Sequence, residues 1–289
     1  MTLIGLILRI LNSLLMIGIP CLLVVILVRR GRGGFRTIGI GLAGFVLSQV
    51  GHIPFNQFVL LPVLEGWGFG GGQSGWQLLA LGAALGLSAG IFEEAARYAA
   101  FRYWLVKNPN TMLPVKYGVG HGGSEAFLLG ILTLFALIQV MVLGGEGALS
   151  SFPPEQAELI QAQITAYWEV PWQQSLLGAW ERVSALAFHI GASLMVYKSI
   201  REKNPAWLAV AIIGHAMFNA FAVIFSRQLD FVLLESILFV FALGWLYWSW
   251  SVRVIELEQP HLDQPLPRKP HLTAQRITPE QLEESRYDE

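Results

Sequence analysis

Apolar residues in this chain come in runs too long for the elements of a soluble core, and polar clusters separate them. A run of about 18 or more apolar residues reads as a membrane-crossing helix, because a rise of about 1.5 Å per residue must cover a hydrocarbon core of about 30 Å. Seven runs qualify: Leu3 to Val28, Thr37 to Leu61 with Pro54 inside it, Trp76 to Leu105, Val119 to Leu143, Ser175 to Ile200, Ala206 to Phe225, and Phe231 to Trp250. The pattern predicts an all-α fold, a polytopic membrane helix bundle of about seven transmembrane helices over residues 1–255. The segment 256–289 is polar and carries Pro260, Pro265, Pro267 and Pro270, so it reads as a disordered tail with a short helix after Pro279. Arg9 sits in the first run near enough to its end to snorkel. That run lacks the basic leader and small-residue cleavage site of a secretory signal, so it is expected to be a retained span.

Composition supports the same solvent. Hydrophobic residues make up 54% of the 289 and charged residues 13%, against roughly 25% charged in soluble domains. So little charge excludes both an ordinary soluble domain and a disordered chain. The net charge of −1 offers no basic face for nucleic acid. The single cysteine, Cys21, lies in an apolar run and reads as a small lipid- or helix-facing residue.

Charge also predicts orientation. Arg29, Arg30, Arg32 and Arg36 follow the first run, Lys107 and Lys116 the third, and Lys198, Arg201 and Lys203 the fifth, while Arg253 opens the tail. The alternate loops carry almost no Lys or Arg, apart from Arg227. The N-terminus is therefore expected outside and the C-terminus in the cytoplasm. In the one long external loop, Pro153-Pro154-Glu155 reads as a helix start and Pro171 as a stop, with Tyr167 and Trp168 near the interface. Glu235 and Arg227 are expected at the outer interface.

The informative residues are charges placed where charge is expensive, at roughly 2.5–3.5 kcal/mol each at the bilayer centre. The third run holds Glu93, Glu94 and Arg97, the fourth His121 and Glu125, the fifth Glu181, Arg182 and His189, and the sixth His215 and Asn219. Measured along each helix, Glu93 and Glu94 lie roughly 17 Å from the cytoplasmic end, His189 roughly 16 Å, His215 roughly 14 Å, and His121 and Glu125 roughly 3–9 Å. Groups on four helices in one half of the bilayer fit a single hydrated cavity. Glu93 and Arg97 are i,i+4 and Glu94 and Arg97 i,i+3, so Arg97 can neutralise one carboxylate. His121 with Glu125, and His215 with Asn219, each share a helical face. Taken one at a time, each pair also reads as packing glue between helices. His52, beside Pro54, reads as structural.

Four segments in order, GIFEEAARYAAFRYW (Gly90 to Trp104), GVGHGGSEAFLLG (Gly118 to Gly130), ERVSALAFH (Glu181 to His189) and GHAMFNA (Gly214 to Ala220), resemble the YhfC family. That family is grouped with glutamic-type intramembrane proteases, whose wider relatives are the CAAX prenyl endopeptidases and bacteriocin-processing enzymes, the PrsW proteases and the scaffold subunit of gamma-secretase. The resemblance covers roughly residues 1–255 and implies hydrolysis of a peptide bond within the bilayer, in the bacterial plasma membrane. It implies catalytic roles for Glu93, Glu94, His121, Glu125, His189, His215 and Asn219, supported by Arg97 and Arg182. The first-motif glutamate would activate water with a second-motif residue, and the last His and Asn would stabilise the oxyanion. The second motif departs from the Phe-x-x-x-His of the CAAX enzymes, having His-Gly-Gly-Ser-Glu, which leaves the division between His121 and Glu125 open.

Chemistry agrees with that implication. A carboxylate can take a proton from water attacking a carbonyl, and neutral donors such as the Asn219 amide can stabilise the oxyanion. Gly90, Gly120, Gly122 and Gly123 would either let helices approach closely or leave room for an extended peptide. No metal is the favoured expectation, since HExxH is missing; zinc is the alternative, held by His121, His189, His215 and Glu94. The expected partners are the lipid bilayer and a membrane-protein or peptide substrate. A proton-coupled transporter or channel would use the same His/Glu cluster as a relay, and a non-catalytic scaffold would use none of it.

Overall fold

The computed structural model describes residues 2–29, 34–69, 75–105 and 110–255; the tail expected over 256–289 lies outside the described residues. Among the described residues every regular element is helical. The chain runs through α1 (Leu3–Arg29), α2 (Gly34–Phe55), a π-helical turn (Asn56–Leu60), α3 (Leu61–Gly66), α4 (Trp76–Ala99), a second π-helical turn (Ala100–Trp104), α5 (Leu113–Leu143), α6 (Pro154–Glu169), α7 (Leu177–Arg201), α8 (Ala206–Phe225) and α9 (Phe231–Ser251). Seven of these segments are long and apolar enough to cross a membrane. They are α1, α2 through α3, α4 with its π-helical turn, α5, α7 with the short turn before it, α8 and α9. The protein is an integral, multi-pass membrane protein.

Apolar surface cannot drive one helix against another in lipid, so close backbone approach and polar contacts must do so. Glycines supply the approach. Gly82, Gly86 and Gly90 line one stripe of α4 and face α8; a Cβ on Gly86 would lie 2.3 Å from the Ala216 carbonyl oxygen, and one on Gly90 2.7 Å from that of Ile212. Between α2 and α5, a Cβ on Gly120 would sit 2.1 Å from the Ile38 oxygen. Between α5 and α7, Gly118 and Gly122 press on Ile190 and on the His189 ring. Gly90, Gly120 and Gly122 thus serve close packing between helices, and Gly123 lies against Pro20. On α9, Trp245 fills the space left by Gly191 of α7 and Gly214 of α8 and stacks on Phe188. α7 is the most enclosed span, and α1, α5 and α9 turn long apolar faces outward.

One expectation changes, and another gains its partners. The fourth span starts six residues earlier than its apolar run, at Leu113, because Pro114 fits the first helical turn and Lys116 and Tyr117 are buried against neighbours. His121 and Glu125 therefore lie roughly 12 and 18 Å along α5 from its start, level with the other polar groups. Arg9, half-buried near the start of α1, finds protein partners there. Its guanidinium donates to the carbonyls of Tyr167 at 3.1 Å and Val170 at 2.9 Å, at the C-terminal end of α6 where a helix exposes unpaired carbonyls. It also lies 5.2 Å from the ring centroids of both Tyr167 and Trp168, and burial pushes the Tyr167 phenol up from its ordinary pKa. The short helix α6, expected from its prolines, is thereby fastened to α1. Asn12 of α1 accepts from the Ala179 amide at 2.7 Å and so satisfies one orphan donor of the first turn of α7.

Candidate active site

Adjacent residues on a helix point about 100° apart, so Glu93 and Glu94 of α4 must meet different neighbours. Glu94 turns into the protein and is fully buried. Its Oε1 accepts from His215 Nδ1 at 2.8 Å, and its Oε2 lies 2.9 Å from Arg97 Nε, a close ion-pair contact without good hydrogen-bond alignment. Arg97, also fully buried, donates to the His189 carbonyl at 2.8 Å, to Ser193 Oγ, and to His189 Nδ1 at 3.1 Å. Its guanidinium lies 5.7 Å from the centre of the Tyr117 ring. These contacts tie α4 to α7 and α8.

Glu93 faces the other way. Its Oε1 accepts from the Gln49 amide of α2 at 3.1 Å, and its Oε2 from His121 Nε2 of α5 at 3.0 Å. His215 Nε2 stands 3.7 Å from the same Oε2. The remaining His121 nitrogen, Nδ1, is buried without a partner among the described residues. The His189 ring lies between the other two, its centroid 4.9 Å from that of His121 and 5.4 Å from that of His215.

Donor accounting fixes His189. Arginine only donates, so Nδ1 accepts from Arg97, Nε2 carries the proton, and that N–H donates to Glu125 Oε2 at 2.9 Å. Glu125 Oε1 takes Arg182 Nη1 at 2.6 Å, and Arg182 also pairs with Glu181. The arm ends at the partly exposed Glu181, whose side chain is 45% exposed against 5% for His189. Asn219 lies one turn beyond His215 and is half-buried, and among the described residues it has no hydrogen-bond partner. Glu235 is buried near the start of α9, and its Oε2 has no hydrogen-bond partner among the described residues.

Apart from Asn219, which shares only the helix of His215, the sequence-derived residues gather on α4, α5, α7 and α8, but in two roles that spacing does not reveal. Glu94 and Arg97 join helices, and Glu93 looks toward His121 and His215. Sequence reading missed Gln49 and Ser193. A stripe of Gln49, His52 and Asn56 at three- and four-residue spacing in the second run was the available signal for Gln49; Ser193 gave none.

A metal finds a different donor set from the one expected. Glu93, His189 and His215 each offer an atom within 4.8 Å of the others; Glu94 is committed to Arg97 and His215, and His121 meets Glu93 through Nε2, with Nδ1 left over. Tetrahedral zinc needs donors roughly 3.3–3.5 Å apart, given bonds of about 2.0–2.1 Å. His215 suits a metal, its Nδ1 being oriented by a carboxylate. His189 does not: one nitrogen accepts from Arg97 and the other donates its proton to Glu125, which leaves no lone pair to give. The residues as bonded do not fit a three-ligand metal centre.

The model of a family described as YhfC intramembrane metalloprotease matches residues 15–241. A Bacillus subtilis protein described as an uncharacterized membrane protein YhfC is 34% identical over 146 residues, 49% of this chain. The match spans 55% of that relative, about half its length. No solved structure matches the chain.

Proposed function

The chain belongs to the YhfC intramembrane metalloprotease family, and from that premise we propose an intramembrane endopeptidase in which Glu93 is the general base. The substrate is a peptide bond in a membrane-protein or peptide chain that enters from the bilayer. One observation carries the reading. Both oxygens of Glu94 are committed to Arg97 and His215, while Glu93 Oε2 faces His215 Nε2 across 3.7 Å.

That pair of atoms suits a water. With His215 Nδ1–H donated to Glu94, a neutral His215 presents a lone pair at Nε2. A water can then donate one hydrogen to Glu93 and the other to His215, leaving an oxygen lone pair for a carbonyl carbon. Glu93 takes a proton as the C–O bond forms, and the Asn219 amide, which has no hydrogen-bond partner among the described residues, stabilises the oxyanion. Protonated Glu93 returns its proton to the leaving nitrogen as the C–N bond breaks. His121 and Gln49 hold the carboxylate, and Glu125 with Arg182 holds His189. Buried, water-poor surroundings strengthen each of these contacts. No step here passes through a metal, consistent with the donor accounting at His189. The basic loops after α1, the third span and α7 support a cytoplasmic C-terminus.

The test is cleavage of a fluorogenic peptide with an apolar spanning segment by the purified, reconstituted protein, with Glu93→Gln beside the wild type. Loss of cleavage in a folded Glu93→Gln protein is the expected result. Wild-type cleavage by that variant would sink the assignment, and ion or proton flux without cleavage would favour a transporter.

A further inference from the structure

His52 reads from the sequence as a structural histidine, yet it lies in a continuous chain of side-chain hydrogen bonds that ends on Glu93. Ser88 Oγ donates to Asn56 Oδ1 at 2.7 Å. Asn56 Nδ2 stands 2.9 Å from His52 Nε2, and His52 Nδ1 stands 3.4 Å from Gln49 Oε1. Gln49 Nε2 donates to Glu93 Oε1 at 3.1 Å.

The direction of the chain follows from its ends. An amide NH2 only donates, so His52 Nε2 must accept from Asn56, which places the histidine proton on Nδ1. Nδ1–H then donates to Gln49 Oε1, which leaves the Gln49 NH2 group turned to Glu93. Each donor points toward the carboxylate, and Gln49 cannot be flipped, because the Glu93 carboxylate only accepts and must meet the NH2 group. Gln49, His52 and Asn56 follow one another by three and four residues along α2 and into its π-helical turn, so they share a face. Phe92, next to Glu93, packs on that face, its ring centroid 5.7 Å from that of His52 and 5.3 Å from that of Phe55.

We propose that Gln49 and His52 are positioning residues, a one-directional hydrogen-bond chain that fixes Glu93 by its Oε1 and so keeps Oε2 aimed at His215 and the reacting water. A carboxylate pinned on one oxygen cannot rotate to exchange its two oxygens, and pre-set geometry of this kind acts on the chemical step more than on substrate binding. The proposal rests on the reading of Glu93 as the base.

The experiment compares Gln49→Leu, His52→Leu, His52→Gln and the Gln49→Leu/His52→Leu double variant in the full chain, with the fluorogenic spanning peptide as probe and Glu93→Gln as reference. Both leucine variants should lower kcat roughly 10-fold, the scale of one hydrogen bond to a charged group, with KM within about twofold. His52→Gln, which keeps a donor and an acceptor, should stay near wild type. The double variant should match the worse single one, because both act through one bond to Glu93. Wild-type kcat in both leucine variants while Glu93→Gln is inactive would overturn the chain and leave the base standing. An active Glu93→Gln would overturn the base instead. Nitrogen-15 NMR of labelled histidine then tests the chain without activity, and also serves if Gln49→Leu fails to fold. It should find His52 protonated on Nδ1, and protonation on Nε2 alone would overturn the chain.

Discussion

Glu93 and Glu94 are neighbours on one helix, equally deep, and they live in different surroundings. Glu94 meets an arginine buried to 0% exposure and a histidine, and through Arg97 its charge is bound into contacts with the His189 carbonyl and Ser193. Glu93 meets only neutral donors, the Gln49 amide and the His121 imidazole, with His215 Nε2 beyond hydrogen-bond distance at 3.7 Å. A carboxylate locked against a guanidinium stabilises a fold and has little freedom to take up a proton. One held by neutral groups keeps its orientation and its basicity. The difference separates the group that holds the helices from the group fit for chemistry, a distinction that two identical residue types conceal.

The largest test of that contrast is Glu93→Gln, expected to lower cleavage by about 10²–10⁴-fold, the usual contribution of a general base, with the thermal transition little moved. Arg97→Met strikes the other side. Removing one partner of a buried ion pair costs roughly 3–5 kcal/mol, so this variant should lose stability first and activity only as a consequence, as thermal unfolding in detergent will show. A folded, inactive Arg97→Met would blur the two roles. Asn219→Ala should reduce kcat about 10²-fold if its amide meets the oxyanion, with KM little changed. Chelation should leave cleavage unaltered, and metal analysis of active protein should find no stoichiometric zinc. Inhibition reversed by added zinc would instead make Glu93 a ligand. The smallest effect belongs to the surface pair of Lys198 and Glu202. The hydrogen bond from Lys198 holds the Glu202 carboxyl below its ordinary pKa. Its small contribution is therefore present above the unfolded carboxyl pKa and fades as pH falls through the lower folded value. Glu202→Gln should move the transition by no more than about 2 °C.

Much of this architecture can be read from residue order. The seven apolar runs gave the spans, and proline placed both ends of α6. Errors arose where a local signal was mixed with a tertiary one. The sequence Leu113 to Gly118 holds Pro114, Lys116 and glycine, which lower its apolar score, yet Lys116 and Tyr117 are buried by neighbouring spans and the helix begins there. Arg9 carries no mark of its partners, since the carbonyls it satisfies lie about 160 residues away at Tyr167 and Val170. Gln49 and His52 drew no weight because an amide and a lone histidine in an apolar run are common helix contacts.

The sequence by itself determined the solvent, the number of crossings and the set of polar residues that share a depth. Those follow from run length and from the cost of charge in lipid, which act along the chain one residue at a time. Only the tertiary structure decided which carboxylate is locked and which is available, and which histidine nitrogen bears a proton. Spacing puts Glu93 and Glu94 equally within reach of Arg97. The choice between them depends on the rotation of α4 against α8 and α2, set by backbone contacts at Gly86 and Gly90 and by the Gln49 amide on the opposite side.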